Sequence, residues 1–188
     1  SVAIMLDRSD ALAQLARWPD ALKQLEAVDK LTPGQADVQL KLGDVLQGAG
    51  RWADAERSYL KAIGLAPRHP MPYNNLAWMT VARKGDAKKA VEWARKAVEL
   101  SPGSSPFHDT LGWAERAAGN LTGAQGSLGK AIELEPRVAA YHLHLGTVQA
   151  ELKQTAAARA SLQRSVELSP NGAEAAQAKT LLKSLQGP

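Results

Sequence analysis

The chain has no cysteine and a single phenylalanine among its 188 residues. Without cysteine there is no disulfide framework, no thiolate zinc site and no thiol nucleophile, while reducing and oxidising compartments both stay open. Aromatic residues reach only 5% and the helix formers Ala, Leu, Glu, Lys, Gln and Arg dominate, so β-sheet is poorly supported and the expectation is all-α. No apolar run approaches the roughly 18 residues of a membrane span, and the opening "SVAIMLDRSD" is too short and wrongly flanked for a signal peptide. The net charge of +4 is mild, and its lysines and arginines are dispersed where a nucleic-acid binder would gather them on one face. The first residue is Ser instead of Met, which points to a processed or excised fragment.

What the sequence does have is a period. Similar phrases close on proline at "KLTP" (Pro33), "GLAP" (Pro67), "ELSP" (Pro102), "ELEP" (Pro136) and "ELSP" (Pro170), in steps of 34, 35, 34 and 34 residues. A fixed step of this size marks a repeat architecture. Inside the periods a leucine and a small residue recur first, as Leu42-Gly43, Leu76-Ala77, Leu111-Gly112 and Leu145-Gly146. A turn follows at Gly50, Gly85 and Gly119, with Lys153 in the fourth such place. Last comes an alanine answered four residues later by a larger or apolar residue: Ala21 to Leu25, Ala55 to Tyr59, Ala90 to Ala94, Ala124 to Leu128 and Ala158 to Leu162. This is the order of a helical hairpin. The small residue admits a close helix approach, glycine supplies the left-handed helix stop, and proline prevents the second helix from continuing.

The pattern resembles the tetratricopeptide repeat family, whose Leu-Gly, Ala, aromatic and closing Pro are matched by "LKLGDVLQGAGRWADAERSYLKAIGLAP" (40–67) almost throughout. The resemblance covers nearly the whole chain. It implies an all-α, right-handed α-solenoid: a single array over 1–188, with hairpins at 2–33, 36–67, 70–102, 105–136 and 139–170 and a capping helix over 172–185. The apolar Ala175, Ala178, Leu181, Leu182 and Leu185 share one face of that last helix. Three departures stand out. Arg8-Ser9 replaces Leu-Gly in the first hairpin, the third period carries one extra residue in "MTVARKGD", and Glu115 and Gln149 replace a bulky apolar residue three after the glycine. Either packing is looser at those two positions or their side chains reach outward.

Several phrases look chemical and fail on spacing. "GAQGSLGKAIELEP" lacks the glycine five before Gly129 and the hydroxyl residue after Lys130 that a phosphate loop needs, and Gly126 and Gly129 read as weakening a helix or allowing a close approach. His142 and His144 are two apart and diverge on a helix, so they cannot share a metal. His108 and His142 fall at the place of Tyr73, three residues before the Leu of each hairpin, and read as packing residues. In "SSPFHD", Ser105 reads as the N-cap before a first-turn proline. No nucleophile, base and orienter assemble, so no enzyme, cofactor or metal is expected. The basic Arg83, Lys84, Lys88 and Lys89 lack interleaved aromatics and read as a solvated turn, so no nucleic-acid partner is expected.

By the resemblance, first helices line a concave groove, with partner-facing residues just after the small one, four before that residue and three after it. These are Leu40, Asp44 and Gln47, then Asn74, Trp78 and Val81, then Asp109, Trp113 and Arg116, then Leu143, Thr147 and Ala150. Trp18 and Trp52, just after their turns, read as structural. For Trp78 and Trp113 two readings stand: a binding patch, since tryptophan is enriched among hot spots, or a sealed groove floor. The clamp that binds C-terminal carboxylates is not matched, because Asp44 and Trp78 stand where it needs asparagine and Leu40 and Asn74 where it needs lysine. The asparagine ladder of sugar-transferase superhelices is matched at Asn75 but not at Lys41, Thr110 or His144. More narrowly, 74–185 is similar to the C-terminal part of bacterial repeat lipoproteins linked to exopolysaccharide and protein sorting, which would imply an exported parent protein, and a cytoplasmic one otherwise. The expected function is a non-catalytic scaffold, part of a larger bacterial protein, that binds a peptide or protein surface without membrane insertion. The alternative is a self-associating segment of a longer array in an envelope or exopolysaccharide assembly system.

Overall fold

The computed structural model describes residues 1–185, and these form eleven α-helices with no strand among them. The array expected over 1–188 therefore ends outside the described residues. In order the helices are α1 (Val2–Gln14), α2 (Trp18–Leu31), α3 (Ala36–Gly48), α4 (Trp52–Leu65), α5 (Pro70–Ala82), α6 (Ala87–Leu100), α7 (Ser105–Ala117), α8 (Leu121–Leu134), α9 (Ala139–Glu151), α10 (Thr155–Leu168) and α11 (Ala173–Ser184). Two compact units divide them, Ser1–Met79 and the residues from Thr80 onward. In the first unit α1 packs on α2, α2 on α3 and α3 on α4. In the second, α6 to α10 pack each on the next, and α11 lies against both α9 and α10.

The first helices all stop by one device. After α3, the Gly50 amide donates to the Gln47 carbonyl and the Arg51 amide reaches back to that of Leu46, closing the last turn around a left-handed Gly50. The same pair of bonds recurs around Ala16, Lys84, Gly119 and Lys153, all with φ between 54° and 80°. This corrects the sequence reading of the third turn. The stop there is Lys84 (φ 55°) and not Gly85, because the extra residue lies between the stop and Asp86, which caps α6 by accepting from the Lys88 and Lys89 amides. The insertion therefore lengthens the turn and leaves the helix unchanged.

Small residues sit where helices meet. A Cβ on Gly112 would stand 2.6 Å from Leu128 Cγ, and one on Gly146 would stand 2.7 Å from Leu162 Cγ; on Gly43 it would enter the ring of Tyr59. Each of those partners is the residue four after the repeat's alanine, and all three are fully buried. Gly126 and Gly129, in contrast, have open space around them, so close approach does not explain them.

Glu115 and Gln149 do not reach outward. Both are buried, and each accepts at 2.8 Å from a serine on the partner helix, Ser127 and Ser161, with Arg95 adding an ion pair to Glu115. A buried polar group that is satisfied in this way replaces the apolar contact made by Leu46. Ser105 is corrected as well. The N-cap of α7 is Ser104, while Ser105 is buried and donates to Glu135 at 2.7 Å, with Tyr141 Oη 3.1 Å away.

Candidate functional site

The expected partner-facing residues divide between the two units. In the first, Asp44 on α3 is tied on two sides: Tyr59 Oη and Asn75 Nδ2 both donate to its Oδ1 at 2.8 Å. Burial pushes the Asp44 carboxyl above the ordinary carboxylate range, against the opposing pull of those hydrogen bonds and of the Lys41 charge. Tyr59 also donates to Gln47 Oε1 at 3.1 Å, and its own hydroxyl is pushed up, by burial first and then by the Asp44 charge. Leu40 and Asn74 are half-buried. Asn74 Nδ2 donates to Asn75 Oδ1, and its own Oδ1 is buried with no donor among the described residues. Trp78 is 47% exposed.

In the second unit the expected residues are more tightly interlocked. Trp113 on α7 stacks on His144 of α9, with ring centroids 4.3 Å apart and planes at 26°, and the Arg116 guanidinium lies 4.5 Å from the Trp113 ring centre. His144 Nδ1 is 2.7 Å from Asp109, and Arg116 Nε donates at 2.8 Å to Glu151. Aromatic, cation and carboxylate thus hold one another. Val81, Thr147 and Ala150 are half-buried, and the Thr147 hydroxyl bonds back to the Leu143 carbonyl. Leu143 is not open to a partner at all. It is 5% exposed in a core cluster with Leu162 and Ala178, because α11 packs over that part of α9.

A rule emerges that the sequence reading passed over. The residue after the small position of one first helix meets the residue two before the small position of the next: Asp10 with Lys41 (2.6 Å), Asp44 with Asn75, Trp113 with His144. Asn75 and His144 thus pair with expected partner-facing residues, and Lys41 with Asp10, without having been among them. The signal lay in reading two columns of the repeat together, where an acid faces lysine or amide and indole faces imidazole. The remaining rings at the Tyr73 position are structural, since Tyr73, His108 and His142 each bond the carbonyl of the proline six residues back, at 2.8–3.1 Å. Trp18 is likewise structural at one edge, where it fills the space over Gly48.

The sequence matches the tetratricopeptide repeat family over residues 6–70, 40–105 and 110–173. The chain belongs to that family. The tetratricopeptide fold is also found in solved structures of similar length. A thermophilic tetratricopeptide protein of Thermus thermophilus is 19% identical, with 99% of each chain covered and a TM-score of 0.80. MamA from Desulfovibrio magneticus RS-1, from residue 41 to its end, is 20% identical over 92% of this chain and 97% of that one, with a TM-score of 0.78. YrrB, described as a tetratricopeptide protein with an unusual peptide-binding site, is 18% identical over 96% of this chain and 92% of that one, with a TM-score of 0.71. At these identities the likeness shows the fold: an all-α tetratricopeptide solenoid. A search of curated protein sequences finds no match, and the narrower resemblance to bacterial lipoproteins is not borne out. No helix among the described residues is long and apolar enough to cross a membrane.

Proposed function

We propose that the first-helix faces of the two units bind a peptide segment or protein surface, and that the chain is one tetratricopeptide array serving as a non-catalytic scaffold within a larger bacterial protein. The observation that carries this reading is Trp78. In three other hairpins the residue after the small position, Asp10, Asp44 or Trp113, is engaged by a neighbouring first helix, and at Trp78 nearly half of the residue faces solvent. An exposed indole on such a face is the arrangement of a binding hot spot. Asn74, one turn earlier, adds a buried carbonyl oxygen that awaits a donor. Leu40, Asp44 and Gln47 flank this face in the first unit. Val81, Asp109, Trp113, Arg116 and Thr147 form the corresponding face of the second, from which buried Leu143 is excluded.

Partners captured by the whole chain provide the test. Trp78→Ala should keep its helical circular dichroism and lose about 2 kcal/mol or more of binding, roughly thirty-fold in Kd. Unchanged affinity in a folded Trp78→Ala, Trp113→Ala double variant would end the reading. A second reading, self-association, is favoured by Ile4 of α1 and Leu15 just after it, which are 66% and 70% exposed. The residue 34 after Ile4 is Val38, buried on α3, the helix that packs on α2.

A further inference from the structure

A cavity of about 340 Å³ opens in the first unit among α1, the start of α2 and α3. Its walls differ in kind. Ala13 and Val45 are apolar, the Trp18 indole supplies an aromatic surface, and Asp10, Lys41 and Asp44 supply charge. Gly48 is what lets the indole stand there, because a Cβ at that position would lie 2.6 Å from two of its ring carbons. Lys41 bonds both oxygens of Asp10 at 2.6 Å, so one carboxylate in the cavity is neutralised and the other, that of Asp44, is not. Among the described residues, Asp44 receives both of its hydrogen bonds at Oδ1 and none at Oδ2. We propose that this cavity is a subsite for one lysine or arginine side chain of a bound peptide, with the cationic group between the Asp44 carboxylate and the Trp18 ring and its methylenes along Ala13 and Val45.

Charge complementarity argues for this occupant. The lining carries two carboxylates and one ammonium, a net charge of −1, and an aromatic face attracts a cation while offering an anion nothing. A long aliphatic stem ending in a cation is the one side-chain type that satisfies both walls. The Asp44 carboxylate keeps one oxygen, Oδ2, to which no described residue donates, so an incoming cation meets an oxygen that is not already engaged. The subsite rests on the proposed peptide-binding face and names the chemistry of one of its pockets.

The test is titration of the whole chain with N-acetyl-arginine methylamide and N-acetyl-lysine methylamide, followed at the Trp18 indole N–H resonance, with N-acetyl-glutamate methylamide and methylguanidine run in parallel. The capped basic residues should give saturable shifts at Trp18, and the acidic probe none. Asp44→Asn, which keeps an oxygen for Tyr59 and Asn75, should weaken Kd about five-fold, and Lys41→Ala, which frees Asp10, should tighten it about three-fold, as expected for gaining or losing one partly exposed ion pair. Opposite responses cannot come from damaged folding. An equal response to the acidic probe, or a Kd unchanged in both variants, overturns the proposal. Methylguanidine binding as tightly as capped arginine overturns the peptide part of it. Loss of partner binding in Trp78→Ala is read independently, so either result stands if the other fails.

Discussion

One methyl group is enough to test the packing at the residue scale. Gly112→Ala places a Cβ 2.6 Å from Leu128 Cγ and 3.1 Å from the Ala124 carbonyl, and backbone cannot step aside as a flexible side-chain end can. The substitution gains about 1 kcal/mol of helix propensity, yet overpacking should outweigh it and leave a net loss of about 1–2 kcal/mol in urea unfolding. Lys153 is the converse case. It holds φ at 60°, a conformation that costs an L-residue about 1–2 kcal/mol, so Lys153→Gly should stabilise the chain by about 1 kcal/mol in the same measurement. Lys84 and Ala16 carry the same strain in their own turns. The sequence showed that these positions were turns. It did not show which residue would turn left-handed at "RKGD", because glycine tolerance says where such a φ is cheap and hydrogen-bond closure says where it must occur.

At the element scale, α11 decides the fate of one expected partner residue. Leu143 lies on the partner-facing column of α9, but α11 lies across that column and seals Leu143 with Leu162 and Ala178, helped by Leu181, Leu182 and Leu185. Removal of residues 173–188 should therefore expose this cluster, lower Tm and raise dye binding by exposed apolar surface. Leu143→Ala in the whole chain should cost about 2–5 kcal/mol of stability. A Leu143→Ala variant of unchanged stability that lost partner binding would restore the residue to the binding face. The apolar stripe of α11 was legible from its spacing. Where that stripe would land was not, since periodicity along one helix gives a face and says nothing of the helix it meets.

At the scale of the whole molecule, an apolar helix face that no neighbouring hairpin covers is stabilised only if something else covers it. Ile4 on α1 and Leu15 at its C-terminal cap are exposed in this way. Self-association through them predicts a sedimentation coefficient that rises with protein concentration in the wild type and is constant in Ile4→Glu, Leu15→Glu. A wild type that sediments as a monomer at every concentration would end that reading and leave peptide binding standing. Fold class, repeat length and hairpin order were determined by the sequence, because each follows from contacts within one period: a small residue opposite a large one, a turn, and a proline that ends the helix. Tertiary structure decided which of the expected side chains are tied to a neighbouring helix. Asp44, Asp109, Trp113 and Arg116 all stand in the expected columns of the repeat and are bonded to or stacked on Asn75, His144 and Glu151 from the following hairpins, while nearly half of Trp78 is exposed. Column membership is a local property of the chain. Availability is set by the pairing of residues 31 to 35 positions apart, and only the packed helices fix that pairing.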